Sequence, residues 1–145
     1  MGMRVVWITG RRLDSDLAAS TEEGLSKALA KIGVEIHMIS PSISGFEGIF
    51  RHSFVEQSKV RGFQTISAGR NCAKLIRRDL EISRGVDLFI VEWRLVGSVW
   101  KILENSKIPW AIIDRGPPAS EGILAWIQKF QWRKGWEIAS KYSIG

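Results

Sequence analysis

Two short apolar runs with a helical pattern between them mark the centre of this chain. The runs cover residues 86–91 and 110–113. Between them, apolar residues recur at steps of three and four: Val96, Val99, Trp100 and Leu103. Apolar runs without alternation are typical of strands that are buried on both faces of a parallel sheet. The pattern therefore predicts a strand–helix–strand unit with a right-handed crossover.

The same alternation opens the chain. Apolar runs at residues 4–9 and 34–39 predict two further strands, and residues 50–55 predict a short third one. Between the first two runs, residues 13–32 predict a loop and then a helix that ends at Gly33. Its expected buried stripe, which leaves Glu22 outside, is Ala18, Thr21, Leu25, Ala28, Leu29 and Ile32. Strands alternating with helices indicate an α/β fold, a Rossmann-like doubly wound parallel sheet with helices on both faces.

Residues 68–83 predict an amphipathic helix with one basic face. Its expected buried side holds Cys72, a core residue by this pattern, together with Leu75 and Ile76. The basic face consists of Arg70, Lys74, Arg77 and Arg78. Two interpretations stay open for this face: a solvated surface, or contact with anionic lipid at about 1 kcal/mol per basic residue. Nucleic-acid binding is less favoured, because the face has no aromatic residue on which a base could stack.

Residues 119–142 predict a long last helix with tryptophans on two sides. Its expected core stripe holds Ile123, Trp126, Ile127, Phe130 and Ile138. Trp132 and Trp136 fall near the opposite side, beside cationic residues. Tryptophans in that position suggest a membrane interface, a partner surface or a contact with a second domain.

Composition and charge narrow the class of protein. The 145 residues fit one domain, and 21 basic against 15 acidic residues give a net charge of +6. This charge favours an anionic partner such as a phosphorylated ligand or an anionic lipid. No apolar run reaches the roughly 20 residues of a membrane span, and the N-terminus lacks a signal-peptide pattern. We expect a cytoplasmic protein, with a peripheral position at the inner membrane face as the further expectation from its basic helix.

Polar residues follow three of the predicted strands at their carboxyl ends. Ligands of open parallel sheets bind at that edge. The candidate substrate-binding residues there are Gly10, Arg11, Arg12, Glu92, Trp93, Arg94 and Gly116, with Asp114 and Arg115 beside the last of them. The first loop has neither G-x-G-x-x-G nor a P-loop, which argues against a dinucleotide or triphosphate site. Arg11 and Arg12 are either ligand contacts or solvated surface charges, and Trp93 either stacks on a bound ligand or packs against a helix.

Three stretches together resemble a known family. They are GLSKALAKIGVEIHMIS at residues 24–40, VDLFIVEW at 86–93 and KIPWAIIDRG at 107–116. In their order and spacing they are similar to the N-terminal half of a GT-B glycosyltransferase, close to the retaining enzymes of family 4. Two positions depart from the family pattern: Asp16 and Leu17 stand where it has paired glycines, and Arg115 stands where it has histidine.

The resemblance implies a function for the chain. Residues 1–145 would be a single Rossmann-like, acceptor-side domain, and a C-terminal donor domain with an E-x7-E motif would be absent from them. The enzyme would move a hexose from a nucleotide-sugar to an acceptor, and a lipid-linked acceptor is one of the possibilities. The reaction would need neither cofactor nor metal. Residues 1–145 alone would be inactive.

Site roles follow from the same resemblance. Asp16 joins the substrate-binding set, and Asp114 and Arg115 become the catalytic candidates, which would stabilise the leaving phosphate and orient the acceptor hydroxyl. An ion pair that shapes the turn at 116–118 is the other interpretation of this pair. The alternative function is a stand-alone α/β binding or regulatory module without catalysis.

Overall fold

The structure of this chain is a computed structural model. It describes residues 2–15, 19–44, 48–60, 62–114 and 121–144. Three of the candidate site residues, Asp16, Arg115 and Gly116, lie outside the described residues.

Within the described residues, five parallel strands form one sheet. The strands are β1 (Arg4–Ile8), β2 (Glu35–Ser40), β3 (Arg51–Phe54), β4 (Leu88–Glu92) and β5 (Trp110–Ile113). The helices are α1 (Ser20–Lys31), α2 (Gln64–Arg78), α3 (Leu80–Ser83), α4 (Val96–Ser106) and α5 (Ile123–Tyr142), with a 3-10 turn at Trp93–Leu95. The strand order is β3-β2-β1-β4-β5, and every neighbouring pair is parallel. This confirms the predicted α/β class and its doubly wound parallel sheet.

The register brings the carboxyl ends of the central strands to one edge. Ile8 of β1 lies opposite Ile39 of β2 on one side and opposite Val91 of β4 on the other. The residues after these three positions, Thr9, Ser40 and Glu92, are all buried. The loop after β1 therefore lies between the ends of its two neighbours, where a parallel sheet of this type binds ligands.

Helices cover both faces of the sheet, as predicted. Apolar residues of α2, α4 and α5 pack with Val6, Ile8 and Phe89 on one face. On the other face, residues at and near α1 pack with Val5 and Trp7. Adjacent residues of β1 thus serve opposite cores, which explains why its sequence is apolar without alternation.

The predicted buried stripe of α1 is wrong except at Leu29, which packs against the core, and Ala18 lies outside the described residues. Leu25 is 43% exposed and Ile32 is 77% exposed, whereas Glu22 and Ser26 are buried. The helix turns this side toward the sheet because the Glu22 carboxyl has a polar partner there, the Thr9 hydroxyl at the end of β1. A hydrogen-bonded partner makes the burial of a carboxyl group tolerable.

The predicted core stripe of α5 is also wrong over its first half. Ile123, Trp126 and Phe130 are 81%, 72% and 57% exposed. The helix packs through small residues instead, which are Ala125, Gly135 and Ala139. At Gly135 a Cβ atom would lie 3.0 Å from the Trp93 carbonyl oxygen, a tight contact that glycine avoids where the backbones approach. The helix continues through this glycine.

The amphipathic pattern of α2 is confirmed. Cys72 and Ile76 are buried, and burial raises the pKa of the Cys72 thiol to about 12, which suits a core residue rather than a reactive one. The four residues of the basic face, Arg70, Lys74, Arg77 and Arg78, are exposed. The predicted single helix to residue 83 is interrupted at Asp79, whose carboxylate accepts a hydrogen bond from the Glu81 N–H and so caps the separate α3.

Candidate functional site

A buried carboxylate, that of Glu92 at the end of β4, is the centre of the candidate site. Its side chain is only 2% exposed. One carboxylate oxygen accepts hydrogen bonds from the Gly10 N–H at 2.9 Å, the Thr9 hydroxyl at 3.1 Å and Arg94 Nη2 at 3.1 Å. The other oxygen accepts from Arg94 Nε and lies 3.8 Å from Arg11 Nε. These contacts give the buried charge the partners that it needs.

Local backbone geometry brings these groups together. The 3-10 turn that follows β4 directly folds Arg94 back over the carboxylate two residues before it. The loop after β1 supplies the Gly10 N–H from the neighbouring strand. Arg94 and Arg11 are partly exposed, at 21% and 17% of their side chains, so the two guanidinium groups separate a buried carboxylate from solvent.

A second carboxyl group, that of Glu22, enters the site from α1. Its residue is 3% exposed, and its Oε2 lies 2.7 Å from the Thr9 hydroxyl oxygen. Burial and the nearby Glu92 charge raise the pKa of Glu22 to about 7, while the charges of Arg11 and Arg94 act in the opposite direction. Carboxyl groups with shifted pKa values at a strand-end site are functional candidates.

Two clefts flank the start of α2 at this edge. The first, of about 430 Å³, lies between α2 and α5 and includes Arg94 in its wall. Its other lining residues include Thr65, Gln131, Leu124 and Ile127. The second, of about 550 Å³, is lined by residues that follow β1, β2 and β3, Arg12 and Lys59 among them. Both volumes are in the range of small-molecule sites, and Gln64 lines both.

Asp114, at the end of β5, is hydrogen-bonded to two tryptophans of α5. Its Oδ2 accepts hydrogen bonds from the indole N–H of Trp132 at 2.6 Å and of Trp136 at 2.7 Å. The two tryptophans thus tie α5 to the end of β5, with Trp136 still 39% exposed. A membrane role for Trp132 and Trp136 stays a prediction. Glu92 lies opposite Ile113 in the sheet, so Asp114 and Glu92 are at the same edge.

Arg12 and Trp93 take distinct places near the site. Arg12 Nη2 donates to the Asp14 carboxylate at 3.1 Å, and the Ile43 N–H donates to the same oxygen at 3.3 Å. Burial alone would raise the pKa of Asp14, but these hydrogen bonds and the Arg12 charge hold it below its usual value.

Trp93 is only 6% exposed, which places its ring in packing rather than open to a sugar.

The structure thus gathers part of the predicted site and adds to it. It brings together Gly10, Arg11, Glu92 and Arg94. Sequence reasoning missed the residues that complete the group, Thr9 and Glu22. The signal for Thr9 was a hydroxyl directly after an apolar strand, whereas Glu22 resembled an ordinary helix-surface residue. Within the described ranges, no three His, Cys, Asp or Glu side chains form a metal-binding group. Among the described helices, none has both the length and the apolar character to cross a bilayer.

The fold and the strand-edge site define an α/β domain of the doubly wound class. No protein-family model matches the sequence, and no curated protein is detectably similar to it. Solved structures are similar in fold. The glycotransferase of kitacinnamycin matches with a TM-score of 0.60 at 14% identity, over 97% of this chain and 38% of that one. A UGT transferase from Siraitia grosvenorii in complex with UDP matches with a TM-score of 0.53 at 13% identity, over 77% of this chain and 28% of that one.

A third similar structure is the C-terminal domain of the PF1911 hydrogenase from Pyrococcus furiosus. Its TM-score is 0.58 at 13% identity, over 76% of this chain and 89% of that one. At these identities the likeness establishes a shared fold. The chain spans well under half the length of the two glycosyltransferases, and nearly the full length of the Pyrococcus domain. The Rossmann-like fold expected from the sequence resemblance is therefore confirmed as one that glycosyltransferases contain.

Proposed function

We propose that this chain is the acceptor-side domain of a GT-B glycosyltransferase of the retaining, family 4 type. It would act with a donor domain to move a hexose from a nucleotide-sugar to an acceptor. The observation that carries the proposal is the Glu92 group with its two arginines, at the ligand-binding edge of a domain whose fold glycosyltransferases share. One of those relatives is in complex with UDP, a nucleoside diphosphate of the kind such a reaction releases.

The chemistry of the group suits this reaction. A planar guanidinium pairs well with phosphate, and Arg11 and Arg94 are partly exposed at the edge where the leaving diphosphate would lie. Glu92 orients Arg94 through two hydrogen bonds, so the arginine is in place before a ligand arrives. In the proposed mechanism Asp114, at the same edge of the sheet, and Arg115 would help to stabilise the leaving phosphate and orient the acceptor hydroxyl.

The donor domain is the main partner in this proposal. Both glycosyltransferase relatives are much longer than this chain, which spans 38% and 28% of their lengths. We propose that residues 1–145 alone bind nucleotide-sugars weakly and transfer nothing. The polypeptide encoded after Gly145 would carry the E-x7-E motif of the donor domain.

A transfer assay tests the proposal. We expect the full gene product to move labelled hexose from a nucleotide-sugar to an acceptor, and the 145-residue chain to show no turnover. In the full product, Arg94→Lys should lower kcat/KM by about 10²-fold or more, because a lysine cannot reproduce the bidentate contact.

Arg70→Lys, on the exposed face of α2, is the matched control and should leave kcat/KM unchanged. Tight nucleotide-sugar binding by residues 1–145 alone would contradict the two-domain proposal. So would a full product in which Arg94→Lys transfers as fast as the unaltered protein.

The proposal includes a peripheral membrane position with a lipid-linked acceptor. The exposed basic face of α2 supports it, through attraction to anionic headgroups. We expect the protein to adsorb to vesicles of 30% phosphatidylserine at low salt in a cosedimentation assay, and the double variant Arg77→Glu, Arg78→Glu to adsorb several-fold less at about 0.05 M salt, where screening is weak.

Neutral phosphatidylcholine vesicles are the control and should retain little protein. Equal adsorption of the unaltered protein and the double variant would rule out the basic face as the contact.

A stand-alone binding module is the second candidate function. The Pyrococcus match favours a function other than sugar transfer, because a domain of nearly the same extent has this fold in a hydrogenase, outside the glycosyltransferases. A gene that encodes no donor domain, together with a ligand bound tightly by residues 1–145, would support the module over the transferase.

A further inference from the structure

The hydroxyl group of Thr9 lies between two buried carboxyl groups. Its oxygen is 2.7 Å from Glu22 Oε2 and 3.1 Å from Glu92 Oε2, and it accepts the Arg11 N–H at 3.1 Å. A hydroxyl has one hydrogen to donate and two lone pairs to accept with. It can therefore donate to only one of the two carboxyl groups. The other contact is a hydrogen bond only if that carboxyl carries a hydrogen of its own.

The surroundings decide which carboxyl group carries the hydrogen. Glu92 accepts from the Gly10 N–H and from Arg94, and Arg11 lies beside it, so this carboxylate is stabilised in its ionised form. Glu22 is buried, and its hydrogen-bond partner among the described residues is Thr9. The consistent arrangement runs in one direction: Glu22 donates to Thr9, and Thr9 donates to Glu92.

We infer that Glu22 is a positioning residue that holds a proton and, through Thr9, fixes the Glu92 carboxylate that orients Arg94 in the wall of the 430 Å³ cleft. Ionisation of Glu22 would put a second negative charge beside Glu92 and leave one hydrogen for two carboxylates. Arg94 and Arg11 would then be shared between both acids, and Arg94 would be held less firmly toward the cleft. The inference deepens the proposed function by naming the residue behind its phosphate-facing arginine.

Several charged groups face this pair and set its pH dependence. Glu92 comes from β4, Arg11 from the loop after β1 and Arg94 from the 3-10 turn, while Cys72 of α2 lies within the influence of Glu92. Folding raises the pKa of Glu22 from 4.5 to about 7. Between these two pH values the folded protein therefore keeps a proton on Glu22 that the unfolded chain has already released. Glu22 thus lowers the stability of the fold as pH rises from about 4.5 to 7.

His37 has the opposite effect over nearly the same range. Burial and the Arg51 charge lower its pKa from 6.5 to about 4, so its contribution to stability rises with pH between these values. The two effects offset each other in the unaltered protein. His37 contributes equally to the unaltered protein and to a Glu22 variant. The difference in stability between the two proteins therefore reports the contribution of Glu22 alone.

The test compares melting temperatures from pH 4.5 to 8 for the protein and for Glu22→Gln and Glu22→Ala. A glutamine amide donates to Thr9 as the protonated acid does. The melting temperature of Glu22→Gln should therefore equal that of the unaltered protein near pH 4.5 and exceed it by a growing margin up to pH 7. Glu22→Ala should melt below both at pH 4.5. Glu23→Gln is the matched control: this neighbour pairs with Lys27 at 2.6 Å, away from Thr9, and the variant should follow the unaltered protein at every pH.

A second measurement follows Arg94 directly. The ¹⁵N resonance of its Nε–H should shift and broaden between pH 6 and 8 in the unaltered protein and stay constant in Glu22→Gln. The inference is overturned if Glu22→Gln melts as low as Glu22→Ala at pH 4.5, or if the Arg94 signal changes with pH equally in both proteins. Neither measurement uses sugar transfer, so a failure here is distinct from a failure of the proposed function.

Discussion

Glu92→Ala should destabilise the fold by about 3–5 kcal/mol, the cost of removing one partner from a buried ion pair. The substitution leaves the Arg11 and Arg94 guanidinium groups without the carboxylate that both approach. It also deprives the Gly10 N–H of its acceptor. Urea denaturation, read as the change in the free energy of unfolding, measures this loss. The stability of Glu92→Gln should lie between those of the unaltered protein and Glu92→Ala, since glutamine keeps an acceptor oxygen but not the charge.

Glu35→Ala is the control for this prediction. Glu35 pairs with Arg4 at 3.1 Å, but both side chains are more than 40% exposed. Exposed ion pairs contribute about 1 kcal/mol or less, so this variant should remain near the stability of the unaltered protein. If Glu92→Ala loses no more stability than Glu35→Ala, the Glu92 group is not the buried centre described above.

The strands and their ends could be predicted from the sequence because their signal is local. An apolar run at 110–113 matches β5 in full, and the run at 86–91 locates β4 within two residues. Parallel pairing then brings the residues after each strand to one edge, whatever the details of the loops. This is why the sequence alone identifies Gly10, Arg11, Glu92 and Arg94 as candidates.

Helix faces could not be predicted as well, because they depend on what lies across the interface. In α5 the large apolar residues Trp126 and Phe130 form the most conspicuous stripe, yet the helix packs through Gly135 and Ala139. The close approach to the Trp93 carbonyl selects small residues, and no periodicity of hydrophobic residues shows such a contact in advance. The charge of Glu22 likewise predicts an exposed side chain. Its burial depends on the Thr9 hydroxyl, which lies 13 residues earlier in the chain.

The interface between α2 and α4 is sensitive to a single methyl group. A Cβ atom on Gly69 would lie 2.6 Å from Ser98 Oγ and 2.7 Å from Ser98 Cβ. The second atom is fixed to the α4 backbone, so the helices must move apart to admit it. Gly69→Ala should therefore cost about 1–3 kcal/mol, in the range of other overpacked interiors, as measured by urea denaturation.

Two further variants separate this contact from the effects of helix propensity. Gly24→Ala makes the same change inside α1, where a Cβ would meet no atom within 4 Å, and should stabilise the protein by about 0.5–1 kcal/mol. Ser98→Gly removes the opposing atoms, so in the double variant Gly69→Ala should cost less than it does alone. The coupling between Gly69 and Ser98 thus reports the spacing between α2 and α4. Equal stability of Gly69→Ala and Gly24→Ala would mean that the two helices do not approach as closely as this geometry requires.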